Sequence, residues 1–383
     1  MKQVYLDNSA TTPIDSQVLE AMLPFLSEVY GNPSSIHSVG RKARVALDDA
    51  RFRLAKTLGA KEYEIYFTSG GTESDNIAMC GVLRKTDRNK RILTTNVEHS
   101  AILQTGGFLE NEGAEVVFLP VSEDGKLSPE TLENALKEKE TALVSAIFVN
   151  NEIGTINDIK TLTDITHKYG ACFHTDAVQA FGKIQFDVKE LGVDLLSISG
   201  HKIYAPKGIG ALYVKKEIDF DSCQKGGGQE RGKRSGTENV AGSVALARAA
   251  ELCLENYDEE RKRITYLRDK LETSLLEKIE GARINGSKDD RLYSILNISF
   301  TGIPGESLIM SLDLSGICAS AGSACASGSL SASPVLKAVG LSDEEARSAI
   351  RFSIGRKNTE EEIDYVIEQV PILIERLRAF VVK

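Results

Sequence analysis

The sequence predicts an α/β fold: a mostly parallel sheet with helices on both faces, followed by a smaller α+β domain. Between about residues 60 and 215, short apolar runs alternate with longer amphipathic ones. After Gly236 the texture changes to long helical stretches broken by isolated strands. The chain has 383 residues, 42% of them hydrophobic, so it is long enough for a large core in two to three domains at roughly 150 residues each.

Taken in order, apolar runs at 63–68, 91–95, 115–119, 143–149, 171–175, 195–199 and 209–214 are the expected strands of the large sheet. Helical patterns at 72–85, 128–139 and 157–169 lie between them. Residues 240–280 read as two long helices rich in Ala, Leu, Arg and Glu. Strands at 294–300, 316–319 and 351–353, a helix at 306–312 and an amphipathic helix from Thr359 complete the smaller domain. The expected division is a large domain at 15–255, with 1–14 and 256–383 in the small one. The N-terminal segment is too short to fold alone and is expected to pack against one of the two bodies.

Composition narrows the function classes. Forty-six Lys and Arg against 55 Asp and Glu give a net charge of −9, the opposite of the basic footprint of a nucleic-acid binder. The apolar stretch 142–149 is broken by Ser145 and is far shorter than the roughly 20 residues of a membrane span. Residues 1–7 carry no apolar signal-peptide region, so the cytoplasm is the expected compartment. Six cysteines occur, the closest pair seven apart, which gives no zinc spacing and predicts free thiols in a reducing compartment.

Ligands of open α/β sheets bind beyond the carboxyl ends of the strands. The first strand runs into Thr68-Ser69-Gly70-Gly71-Thr72, glycines before a helix start that let backbone N–H groups approach an anion. Thr72 and Asp75 have the spacing of a capping box. Neither a Walker A loop nor G-x-G-x-x-G is present. Later strands end at Glu98-His99, Asn150-Asn151-Glu152, Asp176-Ala177-Val178-Gln179 and Ser199-Gly200-His201-Lys202. Each residue alone has a bland explanation: a structural histidine, an N-cap aspartate, a solvated lysine. Five such strand ends on one rim are hard to assign to coincidence. A phosphate cradle, an acid for a cationic ring nitrogen and a lysine able to form a Schiff base together specify pyridoxal 5'-phosphate. Lys202 lies between two apolar runs, where desolvation would bring its amine toward neutrality.

These motifs, in order, resemble the NifS/IscS-type cysteine desulfurases, pyridoxal-phosphate enzymes of the class V aminotransferase family. The resemblance extends over nearly the whole chain. It includes Tyr5-Leu6-Asp7-Asn8-Ser9-Ala10-Thr11-Thr12, Gly31-Asn32-Pro33-Ser34-Ser35, Gly226-Gly227-Gly228-Gln229, Arg234-Ser235-Gly236-Thr237, Gly322-Ser323-Ala324-Cys325 and Ile350-Arg351-Phe352-Ser353. It implies the aspartate-aminotransferase-like fold (fold type I) and a homodimer that converts L-cysteine to L-alanine. Lys202 would form the Schiff base and move the Cα proton. Asp176 would pair with the ring nitrogen, Gln179 with the ring hydroxyl, and His99 would stack on the ring and take part in proton transfer. Gly71, Thr72, Ser199 and His201 would hold the phosphate, joined by Thr237 of a neighbouring subunit. Asn151 and Arg351 would grip the substrate carboxylate, Arg351 by a bidentate pair. Cys325 would carry the persulfide and pass sulfur to an acceptor such as an iron–sulfur scaffold.

Residues 315–334 support the last assignment, since 15 of these 20 are Gly, Ala or Ser, a composition unable to bury much surface and expected to stay mobile. Cys318, in a strand-like context, is expected to be a small buried hydrophobe. An aminotransferase would have no need of Cys325, a selenocysteine lyase would share the fold, and a non-catalytic scaffold would be expected to have lost Lys202 or Cys325. The loop departs from many relatives at Ser331-Ala332-Ser333, where they carry Pro-Ser-His or Pro-Ser-Tyr before Val-Leu.

Overall fold

Seven strands pair in the order β2-β8-β7-β6-β5-β3-β4 in the computed structural model, which describes residues 3–86, 90–321 and 332–381. The strands in chain order are β1 (Val4–Tyr5), β2 (Ile65–Thr68), β3 (Arg91–Thr95), β4 (Val116–Leu119), β5 (Thr141–Ser145), β6 (Cys172–Asp176), β7 (Leu195–Ser199) and β8 (Gly210–Val214). They continue with β9 (Ala282–Ile284), β10 (Ile295–Phe300), β11 (Ile317–Cys318), β12 (Ser320–Ala321) and β13 (Ala349–Ser353). In the large sheet only β8 runs antiparallel to its neighbours. Strands β3, β5, β7 and β8 are buried at every residue, the signature of strands covered by helices on both faces.

The helices start where short polar residues stand. Ser128 caps Pro129–Glu138, Asp158 caps Ile159–Lys168 and Asn239 caps Val240–Glu255. The helix Ser38–Leu58 ends at Gly59, whose φ of 72° is left-handed and where a Cβ would lie 1.8 Å from Asp187 Oδ2. Its buried Leu47, Ala50 and Leu54 share the main core with Ala245 and Leu246 of the helix Val240–Glu255.

Some boundaries differ from the sequence pattern. The run at 63–68 becomes a strand only from Ile65, because a Glu64 carboxylate accepting from Lys61 N at 2.8 Å closes a 3-10 turn first. The run at 143–149 pairs from Thr141 and leaves the ladder at Ser145; its extended continuation bonds through Ala146 N and Phe148 N to β6 carbonyls and reaches the rim at Asn150. The 240–280 stretch breaks at Asn256 into Val240–Glu255 and Tyr257–Lys278.

A second, antiparallel sheet has the order β12-β13-β10-β9. Ile350 and Phe352 turn into a separate apolar cluster with Leu271 and Ile363 of the flanking helices. The pleat then puts Arg351 and Ser353 on the opposite face, toward the large sheet. The N-terminal segment serves both bodies, where one was expected. β1 pairs with β11, Asp7 bridges Ser353, and Thr12 N then donates to His201 O at 2.9 Å. Cys318, on this two-stranded edge, is half-buried, and the fully buried position expected for it is not formed. No helix of the described residues is long and apolar enough to cross a membrane.

Candidate active site

The carboxyl ends of β3, β5, β6 and β7 open into one cleft of about 260 Å³. It is lined by ten residues singled out from the sequence: Gly71, Thr72, His99, Asn151, Asp176, Gln179, Ser199, His201, Lys202 and Arg351. Thr237 is exposed and lies outside this lining. Cys325 falls in 322–331, outside the described residues.

One end of the cleft is built for an anion. The helix Gly71–Leu83 begins with Gly70 as its N-cap and no side-chain cap. The capping box expected from Thr72 and Asp75 is therefore not formed: the cap falls two residues before Thr72, and Asp75 is buried beneath the helix. Its first N–H groups are left to a ligand, with Ser199 and His201 beside them. Backbone approach makes glycine necessary here. A Cβ on Gly71 would lie 2.6 Å from Val178 Cγ2, and one on Gly210 would lie 2.7 Å from Gly70 Cα. Burial brings His201 down to about 4, so its imidazole is neutral; its Nδ1 lies 3.2 Å from Thr11 Oγ1.

The floor carries two carboxyl groups, Asp176 and Asp75. Asp176 Oδ1 accepts from Val178 N at 2.9 Å. Burial raises its pKa, while the charges of His99 and Lys202 work in the opposite direction. Behind it, neither oxygen of Asp75 has a hydrogen-bond partner among the described residues. Burial, and then the Asp176 charge, hold Asp75 well above the usual carboxylate range. A ring nitrogen of His99 lies within 4.8 Å of a carboxylate oxygen of each. His99 Nδ1 accepts from Ala101 N at 3.1 Å as the cap of helix Ser100–Asn111, so the neutral ring carries its proton on Nε2. His174 below is buried between Ser145 Oγ at 2.8 Å and Ser197 Oγ at 2.9 Å, and burial brings it down to about 3.

Lys202 Nζ donates to Ser9 O at 2.6 Å and Ala10 O at 2.8 Å. Gln179 Nε2 donates to the same Ser9 carbonyl at 2.9 Å, and half-buried Lys183 donates to Gln179 Oε1 at 2.8 Å. The N-terminal segment thus holds the lysine. A cationic heterocycle with a phosphate arm fits this cleft: two buried carboxyls, one without a hydrogen-bond partner among the described residues, line it together with an amine, and a helix N-terminus lies at one end.

The opposite wall carries Arg351, which is 1% exposed. Its Nη1 donates to Asn151 O at 2.8 Å, while its Nε has no partner among the described residues. Glu152 lies beside it, accepting from Ser333 Oγ at 2.6 Å. Glu98 Oε1 accepts from Thr95 Oγ1 at 2.6 Å and Ile147 N at 2.9 Å.

Comparison with known proteins agrees with this geometry. The model of the aminotransferase class-V family matches residues 4–366. A curated cysteine desulfurase IscS of Clostridium botulinum is 49% identical over 380 residues, covering 98% of this chain and 96% of its own. A namesake from Methanosarcina thermophila is 48% identical over 378 residues, with 98% and 93% covered. Among solved structures, a NifS-like protein superposes with a TM-score of 0.92 at 40% identity, covering 98% of this chain and all of its own. One described as SspA in complex with cysteine gives 0.81 at 35% identity, over 92% and 99%. A strand-end cleft of this make-up, on a chain matched almost end to end, makes this protein a member of the class-V aminotransferase family.

Proposed function

We propose that this protein takes sulfur from L-cysteine, releases L-alanine, holds the sulfur on Cys325 as a persulfide and passes it to an acceptor. It is a pyridoxal-phosphate-dependent cysteine desulfurase. The observation that carries this reading is the meeting of Lys202, Asp176, His99 and Arg351 in one cleft, together with curated desulfurases at 47–49% identity over nearly the full chain.

Gly71, Thr72, Ser199 and His201 hold the phosphate, Asp176 the ring nitrogen and Gln179 the ring hydroxyl. Bound there, the cofactor supplies an electron sink for the pair left when Cα loses its proton. Arg351 and Asn151 fix the substrate carboxylate and so turn the Cα–H bond toward the lysine. Lys202 Nζ takes that proton. His99, with a ring nitrogen within 4.8 Å of both buried carboxyls, moves a proton at the ring. The Cys325 thiolate attacks the substrate sulfur; an S–S bond forms as the C–S bond breaks, and protonation at carbon gives alanine.

The described residues support the reach of Cys325. Ser320 pairs with Arg351, and Ser333 bonds Glu152, so described residues on either side of 322–331 are tied to the cleft wall. Cys325 is four residues beyond Ala321, no more than about 14 Å of extended chain. Thr237, exposed on its own subunit, completes the phosphate site of a second copy in a homodimer. The acceptor is a cytoplasmic protein of iron–sulfur cluster assembly or related sulfur trafficking.

A single turnover with L-cysteine and no reductant tests this. Intact and peptide mass spectrometry should find one added sulfur on the Cys325 peptide and an equal amount of alanine. Cys325→Ala should keep the cofactor's visible absorbance and lose the added sulfur. A keto acid product, or the same sulfur yield from Cys325→Ala, would overturn it.

A further inference from the structure

We propose that Cys80 and Cys223 form a dithiol site, separate from the cleft, that closes reversibly to a disulfide under a peroxide-class oxidant. Cys80 lies on the helix Gly71–Leu83 and is buried; Cys223 lies in the segment after β8 and is half-buried. Neither cysteine lines the cleft.

Three contacts bring them together. Cys223 Sγ lies 3.7 Å from Asn76 O. Asn76 is one turn before Cys80, and helical side chains lean back over the preceding turn, so the Cys80 sulfur is at the same level. Asp221 N donates to Gly81 O at 3.0 Å, fastening the backbone two residues before Cys223 to the residue after Cys80. Both side chains also pack in one apolar cluster, Cys80 within it and Cys223 against it. On backbones tied this closely, short side chains would reach the spacing a disulfide needs.

The pair is chemically unequal. Contact with Cys223, and then burial, push the Cys80 thiol far above its usual range. The neighbouring Cys80 lowers the Cys223 thiol and burial opposes it, with Arg84 and Lys225 favouring the thiolate and Asp221 disfavouring it. Cys223 is also the more exposed of the two, so it is the attacking sulfur. Its thiolate attacks one peroxide oxygen; the O–O bond breaks, the sulfur becomes a sulfenic acid, and hydroxide leaves. The Cys80 sulfur then attacks Cys223; the S–S bond forms as the S–O bond breaks, and the departing hydroxide takes the Cys80 proton. Two thiols are oxidised by two electrons and one peroxide is reduced to two waters. By contrast, burial raises both Cys172 and Cys253 to about 11.

The link would join the helix whose first turn forms the anion cradle to the segment that carries Thr237. Holoenzyme without L-cysteine would be treated with equimolar hydrogen peroxide, alkylated under denaturation and digested without reductant. Peptide mass spectrometry should find most of Cys80 joined to Cys223, two hydrogens lighter than the separate peptides, and dithiothreitol should release both. Cys223→Ser, with its cofactor absorbance intact as a check on folding, should leave Cys80 fully alkylated. Recovery of Cys80 as a free thiol while Cys223 is oxidised to sulfinate, joined to another cysteine or untouched would overturn the proposal.

Discussion

Arg351 Nη2 donates to Asp7 Oδ1 at 2.8 Å, joining positions 344 residues apart across the cleft wall. Arg351 is buried on β13, and Asp7 is the carboxylate that orients its guanidinium. A hydrogen bond to a charged group contributes about 1.5–3 kcal/mol, so Asp7→Ala should raise KM for L-cysteine about tenfold or more and change kcat less. Asp7→Asn keeps an acceptor oxygen and should restore most of the loss. Steady-state kinetics check this, and an unchanged KM in Asp7→Ala would mean that Asn151 O alone positions the arginine.

Glu98 gives a pH dependence of definite sign. Burial pushes its carboxyl up to about 8. Unfolded, it would release its proton near 4.3. Across that window the folded protein binds more protons, so the stabilisation is complete below about 4.3 and is lost as pH rises through about 8. Glu98→Gln mimics the protonated form and should flatten the fall of Tm between pH 5 and pH 8. Thermal unfolding of holoenzyme and variant across that range measures it. Parallel Tm profiles would show that the carboxyl is already ionised at neutral pH.

Much of this architecture was legible because its signals are local. β3 and β7 were expected at 91–95 and 195–199 and form there, since parallel strands covered on both faces leave continuous apolar runs. Polar residues closing the runs of the large sheet mark a rim, and eight of them, Thr72, His99, Asn151, Asp176, Gln179, Ser199, His201 and Lys202, share one cleft. What escaped depends on distance or on a register shift of a residue or two. The Thr72–Asp75 spacing reads as a cap, but the cap falls two positions earlier, at Gly70, and that shift makes Asp75 a buried carboxyl. Asp7 gave no local sign of meeting Arg351, and neither did Ser9 and Ala10, whose carbonyls hold Lys202.

Gly71 should be a sensitive point for the cofactor. Its Cβ position lies 2.6 Å from Val178 Cγ2, so an alanine must push that side chain aside, while the 3.7 Å to Ser199 Cβ is an ordinary contact. Overpacking of this kind costs about 1–3 kcal/mol. Gly71→Ala should therefore weaken pyridoxal-phosphate binding by about tenfold or more, read from the visible absorbance as apoprotein is titrated. Retained affinity would show that the Val178 rotamer absorbs the methyl group.

The β2 edge of the large sheet supplies the last test. β2 is one of the sheet's two edge strands, and its backbone is covered by Arg51 and by the 3-10 turn Gln229–Gly232. Arg51 meets Glu230 in a fork of 2.6 and 2.7 Å, donates to Ile65 O at 2.8 Å, and Glu230 accepts from Phe67 N at 3.1 Å. Glu230 and Arg231 hold φ of 45° and 57°, a strained turn that persists because these contacts fix it. Such cover also keeps the edge from pairing with another chain. Glu230→Ala would leave a buried guanidinium unpaired, at about 3–5 kcal/mol. Tm should fall by roughly 4–6 °C. The double variant Arg51→Leu/Glu230→Leu removes both charges and should recover most of that loss, since replacing a buried pair by apolar groups is often neutral. Calorimetry of the two variants separates the outcomes: a double variant as unstable as Glu230→Ala would show that the fork's hydrogen bonds to β2, and not the stranded charge, hold this edge.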